Sequence, residues 1–428
     1  MVKNSRRKNH SFIIIAVLSA LILAGVLLLS TNFSFIGKKS IHDDAKKYST
    51  RHCLAFYPDS KTGFSKAKEL CKGVKDDRIY DYTLVPYGDY YLVNYGGDFR
   101  YFTDKQFEPL VVKEISDNGK KMIVDYIRYT FKKQMPDKYY NADFIRELKY
   151  ENIDFSSVSF DIEGESLKCH VPQYEMDVLI PLKYVQKEIG MDFGFPNELY
   201  SKPVYLDPDH PVICLTFDDG PKLWEEPGTT SCEKIIDLLY EYDATATFYL
   251  IGNNLEERDM WTDYQLYGML KRSINNGNEY GSHLQSHDYS LDGYSGKESV
   301  YNVINGPIAY LKDFMGYEMK TYRPVEGVLT QTANEVSPVP AILWDVDSQD
   351  WDSMDPEAIF NQVSKYDYES GDIILFHDIY NTTYEGLKKV LPYLINKGCQ
   401  LVTVSEMLKY LNIEADQISY YYGPQYYE

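Results

Sequence analysis

From residue 211 to about residue 404 the chain alternates short apolar runs with segments of helical spacing. That alternation restricts the fold more than any other feature. Residues 212–217, 245–251, 341–346, 373–376 and 401–404 read as strands. Residues 233–242, part of 263–275, and 297–314 carry apolar side chains at helical spacing between them. Such alternation predicts a parallel α/β sheet or barrel, because parallel strands need long crossovers and helices supply them. Chemistry in these folds gathers beyond the C-terminal ends of the strands. Asp218, Asp219, Asp347 and His377 all lie at or just beyond the ends of predicted strands.

The stretch CLTFDDG, residues 214–220, sets two carboxylates side by side, where each raises the cost of ionising the other. A turn or helix cap explains them cheaply, since Asp favours such positions, Gly220 supplies positive φ and Pro221 suits a helix start. The alternative is a site in which one carboxylate binds a cation and the other handles protons. Downstream, GSHLQSHDYS places His283 and His287 four residues apart. On a helix or helical turn this spacing points both imidazoles the same way, as two ligands of one cation require. With a carboxylate at a strand end it suggests a His-His-Asp site, a donor set that also fits non-haem iron. Paired acids and a further His fit hydrolysis better than oxygen chemistry.

Upstream the texture differs. An uncharged stretch at 11–30 follows Lys3, Arg6, Arg7 and Lys8 and is long enough to cross a bilayer. Its flanking charges predict a cytoplasmic tail at 1–10 and everything beyond the span outside the cell. A cleavable signal peptide competes with this reading, although no clear small-residue cleavage site follows. Residues 38–200 read as one or two small α+β modules, with a hairpin signal at Gly96-Gly97, a helix over 120–133 and an amphipathic helix over 178–190. A proline-rich linker covers 196–211 and a Tyr-rich tail covers 413–428. The 64 acidic residues against 44 basic ones give a net charge of −20, which excludes broad nucleic-acid binding. Of six cysteines, Cys53 and Cys71 are placed to pair, and no Cys/His spacing suggests a thiolate zinc site.

The region 209–412 resembles the NodB-type polysaccharide deacetylases. Five motifs occur in that family's order: TFDDG at 216–220, H-x-x-x-H at His283 and His287, R-P at Arg323 and Pro324, D-S-x-D-W at 347–351, and I-L-F-H-D at 374–378. The resemblance implies a deformed (β/α) barrel and a divalent cation held by Asp219, His283 and His287, Zn²⁺ first, with Co²⁺, Ni²⁺ or Mn²⁺ as alternatives. It implies Asp218 as general base, positioned by Arg323, and His377 as general acid, oriented by Asp350. Trp351 and Leu375 would wall the acetyl methyl, and the backbone amide of Glu326 would donate to the oxyanion. Two departures stand out: Leu284 where the family carries Ser or Thr, and Val325-Glu326 where it carries Pro and an aromatic residue. The expected activity is that of a membrane-anchored deacetylase acting on cell-wall polysaccharide outside a bacterial cell, peptidoglycan N-acetylglucosamine first. Exopolysaccharide, chitin-type and acetylxylan substrates are the alternatives, as is a non-catalytic wall-binding or sensory protein on the same fold.

Overall fold

The computed structural model describes residues 114–195, 200–223, 230–256, 260–414 and 420–423, together with 112 and strands at 53–54, 80–87, 90–95 and 99–103. The apolar span expected at 11–30 and the Cys53–Cys71 pairing lie outside the described residues. Among the described residues no helix is long and apolar enough to cross a membrane. The chain divides into two compact units.

The first unit comprises the described parts of Met1–Ser116, Ser159–His170 and Leu179–Glu198. Strands Tyr80–Tyr87, Tyr90–Tyr95 and Phe99–Thr103 pair antiparallel in sequence order, with Tyr95 opposite Phe99, and the hairpin signal at Gly96-Gly97 itself lies outside the described residues. A second hairpin joins Ser159–Glu163 to Ser166–Val171. The helix expected over 178–190 is not formed as such. Met176–Pro181 is a strand whose Met176, Val178 and Ile180 alternate inward, and only Leu182–Val185 is helical. The period-two burial of those three apolar residues outweighs the helical spacing that follows them.

The second unit comprises Asp117–Val158, Val171–Val178 and Leu199–Glu428. It therefore takes in the helix Asp117–Gln134, whose fully buried Arg128 donates to the carbonyls of Leu148 (2.9 Å) and Tyr240 (2.8 Å). Its centre is a parallel sheet built from β1 (Val212–Asp218), β2 (Ala246–Leu250), β3 (Glu279–Ser282), β5 (Val346–Asp347), β6 (Ile373–His377) and β7 (Gln400–Val402). The order is β3-β2-β1-β6-β5, and β7 pairs with the first residues of β1. Single bridges carry the pairing from Ser282 through Tyr322 to Ala341 in β4 (Ala341–Ile342), which pairs in turn with β8 (Tyr420–Tyr421).

Every residue of β1 is buried, so its two faces meet different surroundings. Phe217 stacks on Phe248 of β2 and Phe376 of β6, with ring centroids 4.9 and 5.6 Å apart. Thr216 and Asp218 alternate to the other face. Helices Ser231–Glu241, Met260–Asn275 and Lys297–Met315 follow the expected pattern closely, and a further helix, Asn381–Asn396, was not anticipated. The strand expected over 341–346 is broken in two. The carbonyls of Ile342 and Leu343 accept from a guanidinium, and Asp345 turns its amide to the carbonyl of Ile373.

The C-terminal strand is part of this core. Tyr421 is buried among Val212, Tyr249, Ile342 and Ile373, its hydroxyl donates to the Gly371 carbonyl (3.1 Å), and its own carbonyl accepts from Leu343 (2.9 Å). Tyr421→Ala should destabilise the unit by about 3–5 kcal/mol, the range for deleting a buried aromatic ring. Urea unfolding measures this, and a loss below about 1 kcal/mol would show that the tail strand carries no core packing.

Candidate active site

Parallel pairing puts the C-terminal ends of all the strands at one edge, and the side chains singled out in the sequence converge there. Asp218 ends β1 and sits in register with His377, which ends β6. His283 follows directly on β3, and Asp350 lies three residues beyond β5.

Arg323 is fully buried and spends its donors on four acceptors. Nε donates to Ile342 O (2.9 Å), one terminal nitrogen to Leu343 O (2.9 Å), and the other to Thr216 Oγ1 (2.7 Å) and Asp218 Oδ1 (3.0 Å). Asp218 is thereby held through one oxygen, while Oδ2 faces His283 Nε2 at 3.7 Å. The guanidinium also lies over the ring of Tyr249. Severing one partner of such a buried pair leaves an unpaired charge, which costs about 3–5 kcal/mol.

Asp219 Oδ1 lies 3.5 Å from His283 Nε2 and 3.6 Å from His287 Nε2, and it is buried without a hydrogen-bond partner among the described residues. One donor atom from each of these three residues falls within 4.8 Å of the others. His283 Nδ1 is 2.9 Å from the Arg323 carbonyl, so Nδ1 carries the proton and Nε2 keeps a lone pair toward Asp219. An orphaned buried oxygen facing two imidazole nitrogens, one of them tautomer-fixed, fits a divalent cation.

His377 is oriented from the other side. Its Nδ1 lies 2.8 Å from Asp350 Oδ1, and its amide donates to Asp350 Oδ2 (2.8 Å), which also accepts from Thr383 Oγ1 (2.6 Å). Burial presses the imidazole pKa downward. The Asp350 hydrogen bond and charge, with the charges of Asp218 and Asp219, outweigh it and raise the pKa to about 9. The neighbouring Asp378 is also buried and, chiefly for that reason, pushed up to about 7.

Four site loops share a backbone device. Asp219 (φ 76°), Leu284 (φ 65°), Glu326 (φ 57°) and Gln349 (φ 56°) are non-glycine residues in the left-handed region. Each such residue costs about 1–3 kcal/mol, and such strain clusters at functional sites. His283 and His287 are therefore brought together by a loop bent at Leu284, not by the helical turn their spacing suggests. Leu284 is completely buried with Leu291, Val300, Ile304 and Tyr322, a burial that contributes about 1.5–3 kcal/mol and offsets its strain. The departure from Ser or Thr thus exchanges a hydroxyl anchor for an apolar one, while Ser282 Oγ still accepts from the Leu284 amide (3.3 Å).

The remaining expected residues are distributed unevenly. Leu375 is buried on β6, two residues before His377 and on the same face. Trp351 is half exposed, with Nε1 donating to Asp347 Oδ2 (3.3 Å), and Asp347 Oδ1 accepts from the Gln349 amide, a loop-stabilising role. Glu326 is exposed, and among the described residues no hydrogen bond or ion pair joins its side chain to the triad. A cleft of about 510 Å³ opens beside Asp219 and His287, lined also by Lys222, Asn253, Asn254 and Tyr380. Thr216 and Thr383 were missed from the sequence. Thr216 carried a usable signal, its place two residues before Asp218 on the same strand face, and Thr383 carried none.

The His377 geometry has a titration consequence. Folding favours the protonated imidazole, so its stabilising contribution is complete below the ordinary pKa of 6.5 and is lost as pH rises through about 9. In Asp350→Asn burial acts with far less opposition, and the metal-free imidazole pKa should fall by at least about one unit. Proton NMR titration of the ring reads this directly; an unchanged pKa would mean that Asp350 does not hold the charge.

Comparison with known proteins follows the same residues. Residues 206–338 match the polysaccharide deacetylase family. The chain is 34% identical over 204 residues to the peptidoglycan-N-acetylmuramic acid deacetylase PdaC of Bacillus subtilis, a match covering 47% of this chain and 40% of that protein. It is 33% identical over 208 residues to a peptidoglycan-N-acetylglucosamine deacetylase of Bacillus cereus, covering 46% of this chain and 89% of that protein. The solved structure of PdaC from Bacillus subtilis aligns over 48% of this chain and 94% of the solved one, at 32% identity and a TM-score of 0.42. The chain thus spans less than half the length of the full PdaC protein but nearly all of the shorter relative. The parallel-sheet region of this chain belongs to the polysaccharide deacetylase family.

Proposed function

We propose that the chain is a hydrolase removing N-acetyl groups from cell-wall polysaccharide, with the N-acetylglucosamine of peptidoglycan as first substrate. The observation that carries the reading is the register of Asp218 with His377 beside Asp219, His283 and His287. A carboxylate, an imidazole and three side chains suited to a cation meet at one strand edge, which supports the reading. The relatives' names support the polymer and differ on the sugar, one naming muramic acid and the other glucosamine. We further read the sheet as a deformed (β/α) barrel and residues 11–30 as an anchor keeping residues 209–412 outside the membrane. The cluster of Lys3, Arg6, Arg7 and Lys8 supports that orientation.

The residues act as follows. Asp219, His283 and His287 would hold a divalent cation, which when bound supplies Lewis acidity for amide hydrolysis. Asp218, fixed through Oδ1 by Arg323, takes the proton of the attacking water at Oδ2. His377, whose Nδ1 is engaged by Asp350, presents Nε2–H to the departing nitrogen, and the raised pKa keeps that proton in place at neutral pH. Leu375 and Trp351 supply apolar surface for the acetyl methyl. The adjacent carboxylates thus have separate tasks, Asp219 within the triad and Asp218 held by a guanidinium.

Acetate release should be measured in parallel from purified peptidoglycan, poly-N-acetylglucosamine and acetylxylan. Peptidoglycan should release most; preference for acetylxylan would overturn the substrate, and no release from any would overturn the enzyme. Asp218→Asn should keep bound metal while losing turnover by about 10²-fold or more, since an amide cannot take the proton. Retained turnover would remove Asp218 as the base.

A further inference from the structure

The segment after β2, Ile251 and the helical turn Gly252–Glu256, touches both loops that carry the triad. The Ile251 amide donates to Gly220 O (2.9 Å), and Asn254 Nδ2 donates to Asp219 O (2.8 Å). On the other side the Gly252 amide donates to Leu284 O (2.9 Å) and the Asn253 amide to Gln285 O (2.8 Å). Gln285 Nε2 returns a bond to Asn253 Oδ1 (3.1 Å). Its side-chain amide lies so close to Gly252 that a Cβ there would meet it at 2.4 Å. Of these bonds, only the one from Asn254 reaches the backbone of a triad residue by way of a side chain.

We propose that Asn254 is a positioning residue of the metal site, setting the angle at which Asp219 offers Oδ1. Asp219 is left-handed, so its carbonyl is turned out of the strand ladder and needs a donor elsewhere. Asn254 supplies that donor and fixes the peptide plane from which the carboxylate projects toward His283 and His287. Partners of this kind around metal ligands change affinity by about 10–100-fold when removed. This inference rests on the triad holding a cation, as the deacetylase reading requires.

Charge and geometry predict opposite outcomes for one substitution. Asn254→Asp is nearly isosteric but replaces the donor with an acceptor facing the Asp219 carbonyl. Its added negative charge near the triad would by itself tighten cation binding. If positioning dominates, binding weakens instead. The test is zinc affinity by chelator competition on the full chain at pH 8, together with the visible spectrum of the Co²⁺-loaded protein and thermal unfolding of the metal-free forms.

Asn254→Asp and Asn254→Ala should both bind zinc about 10-fold or more weakly. Both should shift the Co²⁺ spectrum while melting within a few degrees of wild type without metal. Should Asn254→Asp fail to fold, Asn254→Ala decides by the same readings. Wild-type affinity with an unshifted spectrum in Asn254→Ala, or tighter binding in Asn254→Asp, would overturn the positioning role while leaving the deacetylase reading intact. A wild-type chain that bound no zinc would overturn both.

Discussion

The site is organised around a guanidinium that water cannot reach. Arg323 has no exposed surface, so each of its donors needs an acceptor within the protein. Two carbonyls come from residues 342 and 343, and two side-chain oxygens come from β1. Meeting that demand interrupts the strand after Ile342, draws the peptide of residues 342–343 toward β1, and clamps Asp218 by one oxygen. The carbonyl of the same arginine fixes the tautomer of His283. One residue thus settles both the orientation of Asp218, the proposed base, and the tautomer of His283.

The separation of Asp218 from Asp219 follows from backbone geometry. Asp218 is the last residue of a strand and keeps the strand's alternation, so it shares a face with Thr216. Asp219 departs into the left-handed region, and its carboxylate turns to the two histidines instead of to Arg323. Adjacent acids would otherwise compete for the same cation or proton. A sharp change of φ between them gives each its own partner.

Much of this was legible in the sequence, for a physical reason. Strand–helix alternation and acids at strand ends are local signals, and they placed β1, β2, β6 and the helices Ser231–Glu241, Met260–Asn275 and Lys297–Met315 within a few residues. The five motifs named the residues that meet at the sheet edge. Left-handed residues were not legible, because Leu and Gln at positive φ carry no composition signal; the His283–His287 spacing therefore suggested a helical turn where a loop exists. The strand Glu279–Ser282 was also missed, since its Glu, Gly and Ser do not resemble a buried apolar run. The helix read over 178–190 failed because Pro181 ends a strand there and does not open a long helix. Thr383 and Asn254 act through contacts distant in sequence, which one chain cannot reveal.

The central claim is that Asp219, His283 and His287 together hold the cation on which the chemistry depends. Zinc K-edge X-ray absorption on the chain loaded with one equivalent of zinc tests it most directly. The account predicts a first shell of nitrogen and oxygen with outer-shell scattering from two imidazoles, reduced to one in His287→Ala. Sulfur in the first shell, or a spectrum unchanged by that substitution, would contradict it.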